Sequence, residues 1–487
     1  MDLRLDDGGG LADAIDRAVR PLSSAVNDVV FFAVEIAGVR LPLVVVWLIG
    51  AAAILTVALR FVNLRGFTHG WALIGRQVRD DSDQTDAPGE ISHFEALTSA
   101  LSGTVGLGNI ASVPVAIVLG GPGAVFWMIL AGFLGMSSKF AECALAVKYR
   151  RVNADGTVSG GPMYYIEAVF ERLGSRLAGR IGAIFFAVMC MGASISVFQV
   201  NQAHAQFVSV TSISAPLVFG AIMAGGVAIV ILGGIRQIAR VTRVLVPLMA
   251  AIYLLAGLTI LILNAGAVPD AVAAIIKGAF GFEAAGGGVV GAMINGIQRA
   301  TYSSEAGVGS AAIAHASVRT REPMTEGYVA LLEPFIDTVV VCTLTALVII
   351  VSGAYLPFVG AERVVGIEIT SFAFASAFSW YPYVLLVSVT LFAFSTLVTW
   401  SHYGAKAAEY LFGRSLLVDR TFKIVLCLML STGAAIQLSS IIDFIDSMLF
   451  AMAVPNIVAL YFLLPELRRD VADYDARLRD RQSASGA

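Results

Sequence analysis

The chain has 487 residues, of which 57% are hydrophobic and 14% are charged, and its net charge is -3 at neutral pH. A soluble domain has about 25% charged residues, so these few charges cannot cover the surface of a soluble globule of this size. The mean hydropathy of +0.82 therefore indicates a protein whose main solvent is lipid, and the small negative charge gives no sign of a nucleic-acid partner.

The first ~30 residues carry charges of both signs and contain no compact apolar run beside a small-residue cleavage site, so no cleavable signal peptide is predicted. Residues 9–30 are instead expected to form an amphipathic surface helix. The first apolar stretch that is long enough to span a bilayer runs from Leu41 to Leu59. We interpret this stretch as a membrane helix.

Apolar stretches of this length recur along the chain and predict an all-α membrane protein with about 11 transmembrane helices. The predicted helices lie near 41–60, 95–119, 123–149, 180–207, 214–235, 242–264, 287–316, 328–352, 380–411, 422–439 and 443–465. Four cysteines fall in apolar segments without a CxxC pair, which favours small buried hydrophobes over metal ligands or disulfides. They are Cys143, Cys190, Cys342 and Cys427.

Lysine and arginine are concentrated in alternate loops, as the positive-inside rule requires. The rich loops contain Arg65 and Arg79, Lys148 to Arg151, Arg236 to Arg243, Arg319 and Arg321, Arg414 and Arg420, and Arg468 and Arg469. The loops between them contain only Lys277 and Arg363. This alternation predicts a cytoplasmic C-terminus and an N-terminus outside.

Two of the predicted helices are interrupted by glycine in the same way. The second helix reads Ser-Gly-Thr-Val-Gly-Leu-Gly-Asn over 102–109, and the seventh reads Ser-Ser-Glu-Ala-Gly-Val-Gly-Ser over 303–310. They lie five helices apart and so enter the membrane from opposite sides, which is typical of an inverted repeat with a binding site at the midplane. Close packing of small residues is the simpler alternative for a single Gly-x-Gly, but the matched pair favours two broken helices.

The predicted breaks divide the chain into five regions. These are an N-terminal surface segment (1–40), an accessory helix with a cytoplasmic loop (41–92), a first repeat (93–265), a second repeat (266–466) and a cytoplasmic tail (467–487). Unwinding a helix exposes N–H groups that suit a carboxylate and carbonyls that suit Na⁺. We therefore expect a carboxylate-bearing cargo and a cation to meet at the breaks.

The residues of these segments resemble the alanine/glycine:cation symporter family of the amino acid–polyamine–organocation superfamily. The resemblance rests on the runs 102–111, 160–166, 299–310 and 333–338 and extends over roughly 90–465. It implies the leucine-transporter fold with a 5+5 inverted repeat, and Na⁺-coupled import of alanine or glycine. The enantiomer of alanine stays open, because main-chain contacts alone can accept either hand.

The resemblance also implies roles for individual positions. The implied cargo site comprises Thr104, Val105, Gly106, Gly108, Gln199, Asn201, Gly307, Val308, Gly309 and Trp400. One implied sodium site comprises the carbonyl of Thr104 with Asn109 and Ser303. A second comprises the carbonyls of Ser102 and Val105 with the hydroxyls of Ser395 and Thr396. Apart from the resemblance, Asp337 either completes a sodium site through its charge or has a structural role near the start of its helix. The sequence departs from the family pattern at Ser304, where an Asn is usual, and around Gln199, so the cargo and the coupling ion stay open.

Other polar residues at membrane depth have two interpretations each. Glu305 either binds the ammonium of the cargo or is a structural hydrogen-bond centre, and His204 is either a proton-relay group or a packing residue. Glu142 and Lys148 are expected to extend towards the interface at the end of the third helix.

The sequence also bears on three alternative functions. The chain has no HExxH, GxSxG or Walker A string, so an enzyme is not expected. A channel would favour a repeated filter in symmetric subunits, whereas here the likeness is between two halves of one chain. A proton-coupled carrier of the same fold is the closest rival, but the hydroxyl pair Ser395 and Thr396 favours Na⁺. We expect a multi-pass protein of a bacterial or archaeal plasma membrane, with an amino acid, Na⁺ and lipid as its partners and no obligate protein partner.

Overall fold

The computed structural model describes residues 11–36, 39–77, 87–281, 288–361, 366–434 and 439–485. All structural statements below concern these ranges. Arg79 and Arg363, which were used to predict the orientation of the chain in the membrane, lie outside the described residues. Residues 9 and 10 of the predicted surface helix also lie outside them, as do the ends of the predicted regions at 1 and 487.

The N-terminal part consists of a helix, a short hairpin and an apolar helix. The elements are α1 (Leu11–Val30), β1 (Ala33–Ile36), β2 (Val39–Pro42), α2 (Leu43–Ala58), α3 (Val62–Arg65) and α4 (Phe67–Gln77). The predicted surface helix is present as α1. The antiparallel hairpin of β1 and β2, in which Ala33 faces Pro42, was not predicted.

The next part contains the first broken helix and the long helices that follow it. The helices are α5 (His93–Thr104), α6 (Val113–Gly120), α7 (Ala124–Lys148), α8 (Pro162–Arg172), α9 (Arg176–Ala193), α10 (Val197–Thr211), α11 (Pro216–Ile231), α12 (Gly234–Leu263) and α13 (Val268–Phe280). A π-helical turn at Gly108–Ser112 precedes α6, and a two-stranded pair of β3 (Arg151–Val152) and β4 (Val158–Ser159) precedes α8.

The last part contains the second broken helix. Its helices are α14 (Gly288–Ser304), α15 (Ala311–His315), α16 (Pro323–Ala330), α17 (Leu332–Pro334), α18 (Thr343–Ser352), α19 (Gly366–Ala375), α20 (Tyr381–Phe412), α21 (Leu416–Gly433) and α22 (Ser439–Ser485). A π-helical segment at Phe335–Cys342 joins α17 to α18, and short 3₁₀ turns lie at Ala265–Ala267 and Leu356–Phe358.

Within the described ranges, six helical spans are long and apolar enough to cross a membrane, and α5 with α6 forms a seventh that is bent by 44°. The helices Leu43–Ala58, Pro216–Ile231 and Gly366–Ala375 are apolar but shorter. The fold is therefore that of a multi-pass all-α membrane protein, as predicted. The number eleven stays a prediction, because several predicted spans are divided or shortened.

Two sequence expectations about helix ends are wrong. The last span was expected to end near 465, but α22 continues without a break to Ser485, past Pro455 and Pro465. Glu142 was expected to extend towards the interface, but its side chain is fully buried and accepts a hydrogen bond from Asn456 Nδ2 at 2.7 Å. Only Lys148 behaves as expected, since it reaches Glu466 and Asp470 at the helix end.

Helix α7 lies at the centre of the molecule. It packs against α14, α16, α2, α15 and α13, and most of its residues are buried. Small residues allow this close approach, since a Cβ on Gly132 would lie 2.7 Å from the Thr338 side chain. Helices α5, α12 and α20 pack on one another beside it, so both broken helices are held between long continuous ones.

Candidate functional site

The first break follows from the end of helix α5. This helix starts with a capping box, in which Ser92 Oγ accepts from Glu95 N and Glu95 accepts from Ser92 N, and it ends at Thr104 because Val105 leaves helical geometry at ψ 88°. The amide of Gly106 is then turned to donate to Asn109 Oδ1 at 2.9 Å. The helix resumes only at the π turn that begins at Gly108, so the terminal carbonyls of α5 have no partners in their own helix.

The second break requires glycine for a conformational reason. Helix α14 ends at Ser304, and Glu305, Gly307 and Gly309 follow with φ of 53°, 88° and 92°. Glycine adopts a φ near +90° readily and residues with a Cβ rarely do, so Gly307 and Gly309 suit this backbone. The Gly307 carbonyl accepts a hydrogen bond from Asn456 Nδ2 at 2.9 Å, so helix α22 supplies a partner that the broken helix lacks.

A small cavity lies between the two breaks. It offers about 40 Å³ to the centres of water-sized groups, and helices α5, α9, α10, α14, α20 and α22 contribute to its walls. Its lining comprises Gly103, Thr104, Gly106, Gly108, Ala193, Ser196, Gln199, Tyr302, Glu305, Thr396, Trp400, Ile445, Asp446 and Leu449. A cavity of this size has room for only a few water-sized groups.

The predicted cargo residues fall into two groups. Thr104, Gly106, Gly108, Gln199 and Trp400 line the cavity. The others do not form part of this lining, namely Val105, Asn201, Gly307, Val308 and Gly309. The two glycines of the second break instead face neighbouring helices, because a Cβ on Gly307 would meet Leu48 and one on Gly309 would meet Pro162 and Asn456.

Glu305 is anchored at the edge of the cavity. Its carboxylate accepts a hydrogen bond from Trp400 Nε1 at 3.2 Å and another from the Ser310 hydroxyl. The residue thus holds the second break against helix α20 and presents a buried carboxyl group to the cavity. Of the two interpretations given above, this geometry supports the structural hydrogen-bond centre and is compatible with contact to a cationic group of the cargo.

One predicted ion position is a compact group of oxygen atoms. Asn109 Nδ2 lies 2.6 Å from Asp337 Oδ1 and 2.9 Å from Ser303 Oγ, and Ser303 donates to Asp337 Oδ2 at 2.7 Å. Thr338 Oγ1 donates to the same carboxylate oxygen at 2.8 Å. All four residues are buried, so the first break, the second break and the π-helical segment of Phe335–Cys342 meet at one carboxylate.

The other predicted position joins α5 to α20. Ser102 Oγ donates to the Ser395 carbonyl at 2.7 Å, and Ser395 Oγ lies 3.5 Å from the Ser102 carbonyl. The Thr396 hydroxyl is buried and has no hydrogen-bond partner among the described residues. A buried hydroxyl without a partner is costly, and this oxygen is therefore available to a ligand.

Two features of the site were missed from the sequence. Asp446 lines the cavity and forms a side-chain hydrogen bond with Tyr302. Its position inside an apolar span was the available signal, because intramembrane carboxylates usually face the interior. The second feature is a buried ionic cluster beside the breaks, and its members are His93, Lys139, His315, Glu326 and Glu333.

In this cluster Lys139 Nζ lies 3.3 Å from Glu333 Oε2, and both side chains are fully buried. His315 contacts Glu333 through one ring nitrogen and Glu326 through the other. Cys143, His315 and Glu333 also have ligand atoms within 4.8 Å of one another. Because both His315 nitrogens are already engaged by carboxylates, the arrangement acts as an ionic crosslink between α7, α15, α16 and α17.

Two helices broken at glycine pairs around a small polar cavity, in a chain of apolar helices, define a secondary membrane transporter. The sequence model of the sodium:alanine symporter family matches residues 25–486, and the chain belongs to this family. The sequence prediction of the family and of a protein that is not an enzyme is thereby confirmed.

The chain is similar to the sodium/alanine symporter AgcS of Methanococcus maripaludis, with 37% identity over 426 residues that cover 87% of this chain and 92% of AgcS. Its fold is similar to that of MhsT in complex with L-phenylalanine, with a TM-score of 0.53 and 15% identity over 79% of this chain and 98% of MhsT. It is also similar to a Na⁺-coupled sialic acid symporter, with a TM-score of 0.52 and 13% identity over 85% and 86% of the two chains. These likenesses confirm the leucine-transporter-like fold.

Proposed function

We propose that the protein is a Na⁺-coupled symporter that imports a small neutral amino acid, alanine or glycine. The observation that carries the proposal is the cavity of about 40 Å³ between the two breaks, which suits a cargo of few atoms. The similarity to AgcS, a sodium/alanine symporter, supports the same ion and cargo.

In this proposal the cargo carboxylate is bound by the N–H groups of residues 106–108 at the start of a helical segment. Gly106 and Leu107 then exchange their hydrogen bonds to Asn109 and Gln199 for the carboxylate. The ammonium faces the carbonyls of the second break and the Glu305 carboxylate. Trp400 and Gln199, which line the cavity, limit the side chain. Glu305 holds the indole of Trp400 in place by a hydrogen bond. The position of this indole therefore limits the size of the cargo side chain.

Two groups of oxygen ligands suit Na⁺, which is co-transported with the cargo. Carboxylate, carbonyl and hydroxyl oxygens are the ligands that hard cations prefer. At the first position the ligands are Asp337, Ser303, the Thr104 carbonyl and the Asn109 amide, whose oxygen reaches the ion after rotation of the amide group. At the second they are the carbonyls of Ser102 and Val105 with the hydroxyls of Ser395 and Thr396, and the hydroxyl of Thr396 without a partner favours this assignment.

The proposed cycle uses the difference in ion affinity between two states. Na⁺ draws α5, α14 and α20 together around the cavity, and cargo then binds to the assembled breaks. Since a ligand shifts a conformational equilibrium only by its differential affinity, both ions must bind the occluded state more tightly than the open one.

The test is uptake of labelled alanine and glycine into proteoliposomes, with an inward Na⁺ gradient, with an inward proton gradient, or with neither. The proposal expects concentrative uptake only with the Na⁺ gradient, and competition by glycine but not by leucine. Uptake that follows the proton gradient alone would overturn the coupling ion. Uptake of glutamine in preference to alanine would overturn the cargo.

A further inference from the structure

The two broken helices are joined at one end by a short stretch of paired backbone. Glu90 N donates to the Ser317 carbonyl at 2.8 Å, and Arg319 N donates to the Ile91 carbonyl at 2.7 Å. Ile91 and Val318 form a parallel β-bridge. We use the name strap for these two paired segments, which are residues 88–91 before α5 and residues 317–320 after α15.

Glycine is required within the strap. Gly89 has φ of +136°, and a Cβ at this position would lie 2.2 Å from the Val318 carbonyl oxygen and 2.6 Å from the Cα of Arg319. These contacts are with backbone and cannot be relieved by turning a side chain. The close approach of the two segments therefore depends on the missing Cβ.

Arg150, which follows the end of α7, donates to four carbonyls around the strap. One terminal nitrogen binds Ala316, at 2.8 Å, and Val318, and the other binds Pro88 and Thr320, each at 2.7 Å. Partial burial lowers the pKa of its guanidinium to about 10, so the group stays cationic at neutral pH. Only arginine presents a planar fork of donors that reaches both segments at once.

Capping of α15 alone does not account for this geometry. The carbonyls of residues 316 and 318 lie at the C-terminal end of α15, where a cation is favourable. The carbonyl of Pro88 precedes the other broken helix and is no part of that helix end. The same guanidinium therefore links α7, the start of α5 and the end of α15.

The ionic cluster lies on the helices next to the strap and joins the same elements. His93 is the first residue of α5 and contacts Glu326 on α16, which in turn contacts His315, the last residue of α15. Lys139 of α7 pairs with Glu333 of α17 at 3.3 Å. Two layers of contacts thus hold this end of the bundle.

We propose that Arg150 is a positioning residue that makes the strap ends of α5 and α15 move as one unit with α7 during transport. The proposal rests on the transport cycle proposed above, but not on the identity of its cargo or ion. Opening on this side then displaces both broken helices together, and α5 does not swing out alone. Loss of the guanidinium frees the two segments from each other.

The test is amide hydrogen exchange of the full-length protein in lipid nanodiscs without cargo, followed by mass spectrometry of peptides that cover 87–92 and 316–321. The variant is Arg150→Gln, with Arg150→Lys as the conservative change. Arg151→Gln is the matched control, because this neighbouring arginine is exposed and pairs with Glu167 at the surface. Gly89→Ala disturbs the strap with Arg150 intact and serves if Arg150→Gln fails to fold.

We expect Arg150→Gln to raise exchange in both segments by about tenfold or more, as for a local opening, with Arg150→Lys intermediate and Arg151→Gln unchanged. In uptake experiments, the Arg150→Gln molecules whose two segments have separated do not bind the cargo, so the binding-competent fraction of the protein falls. We therefore expect KM to rise about fivefold, with a smaller change in kcat. Faster exchange in 316–321 alone would show a helix cap and overturn the proposal, as would exchange equal to that of Arg151→Gln. Failure of alanine uptake by the unmodified protein would count against the proposed cargo and leave the exchange result standing.

Discussion

The Asn109 amide nitrogen lies 2.6 Å from Asp337 Oδ1, although the two residues are 228 positions apart in the chain. This contact joins the first broken helix to the π-helical segment of Phe335–Cys342, and Ser303 of the second broken helix binds the other carboxylate oxygen. The amide dipole thus offers a weak positive partner to a buried carboxylate. Burial of a carboxylate in an apolar interior is costly unless a positive charge compensates it. This cost is the physical argument for a cation beside Asp337.

We expect Asp337→Asn to raise the Na⁺ concentration for half-maximal alanine uptake about tenfold or more. A hydrogen bond to a charged group contributes about 1.5–3 kcal/mol, and the loss of the charge removes the strongest ligand of the ion. The measurement is initial uptake in proteoliposomes over a series of Na⁺ concentrations at constant ionic strength.

Asp419→Asn is the matched control for this variant, because Asp419 pairs with Lys423 near the start of α21 and away from the breaks. It should leave the Na⁺ dependence unchanged. An Asp337→Asn protein with the Na⁺ dependence of the unmodified one would remove Asp337 from the proposed ion site.

The hydroxyl of Thr396 gives a second prediction. Because Thr396 Oγ1 is buried without a partner among the described residues, its removal leaves no donor or acceptor unsatisfied. We expect Thr396→Ala to keep or raise the thermal stability in detergent without Na⁺, to lose the stabilisation that Na⁺ gives, and to take up alanine about tenfold more slowly. Thr396→Ser, which retains the oxygen, should restore most of the uptake.

Thr390→Ala on the same helix is the control, since Thr390 Oγ1 is already bonded to the Leu386 carbonyl at 2.8 Å. Equal stabilisation by Na⁺ in Thr396→Ala and in the unmodified protein would show that this hydroxyl is not an ion ligand.

A third prediction concerns the space at the first break. A Cβ on Gly106 would lie 2.6 Å from Thr396 Oγ1, and threonine in a helix has few rotamers by which to move away. We therefore expect Gly106→Ala to reduce alanine uptake by at least about tenfold, through displacement of the hydroxyl and narrowing of the cavity. Initial uptake rates and the thermal unfolding midpoint are measured together.

Gly225→Ala provides the comparison, because nothing lies within 4 Å of a Cβ at that helical position. It should transport normally and be slightly more stable, since alanine favours a helix interior by about 1 kcal/mol over glycine. Normal uptake by Gly106→Ala would show that the first break tolerates a side chain and that the cavity does not bind the cargo.

Much of the architecture could be predicted from the sequence because it depends on local patterns. Apolar length indicated a multi-pass all-α membrane protein, and the glycine pairs at 106–108 and 307–309 indicated both breaks. The cavity residues Thr104, Gln199 and Trp400 followed from the family resemblance. The π-helical segments could not be predicted, because they follow from the packing of neighbouring helices and leave no period of their own in the sequence.

Contacts between residues that are far apart in the chain also could not be predicted from the sequence. Lys139 has Glu142 at i, i+3 spacing on its own helix, but nothing in the sequence pattern indicates Glu333, which the fold brings to it. The orientation of Gly307 and Gly309 towards neighbouring helices was missed for the same reason, since glycine has no side chain whose pattern could indicate a face. Asp446 is an example. Its polarity within an apolar span indicates that the side chain faces the protein interior, but it does not indicate that Tyr302 is its hydrogen-bond partner.

The pair of Lys139 and Glu333 gives the last prediction. Both side chains are fully buried and their charged atoms lie 3.3 Å apart, so removal of the lysine leaves the buried Glu333 with His315 as its remaining basic partner among the described residues. We expect Lys139→Met to lower the free energy of unfolding by about 3–5 kcal/mol, measured by denaturant unfolding in detergent micelles. The double variant Lys139→Met with Glu333→Gln should lose clearly less than the sum of the single variants, because it leaves no isolated charge.

The partly buried pair of Lys423 and Asp419, at 2.8 Å and with i, i+4 spacing on α21, is the matched control for this cycle. A pair of that kind contributes only about 0.3–0.5 kcal/mol, so Lys423→Met should have a small effect. If Lys139→Met were as mild as Lys423→Met, the buried cluster would not be an ionic crosslink, and the joining of α7 to α17 would have to rest on apolar packing alone.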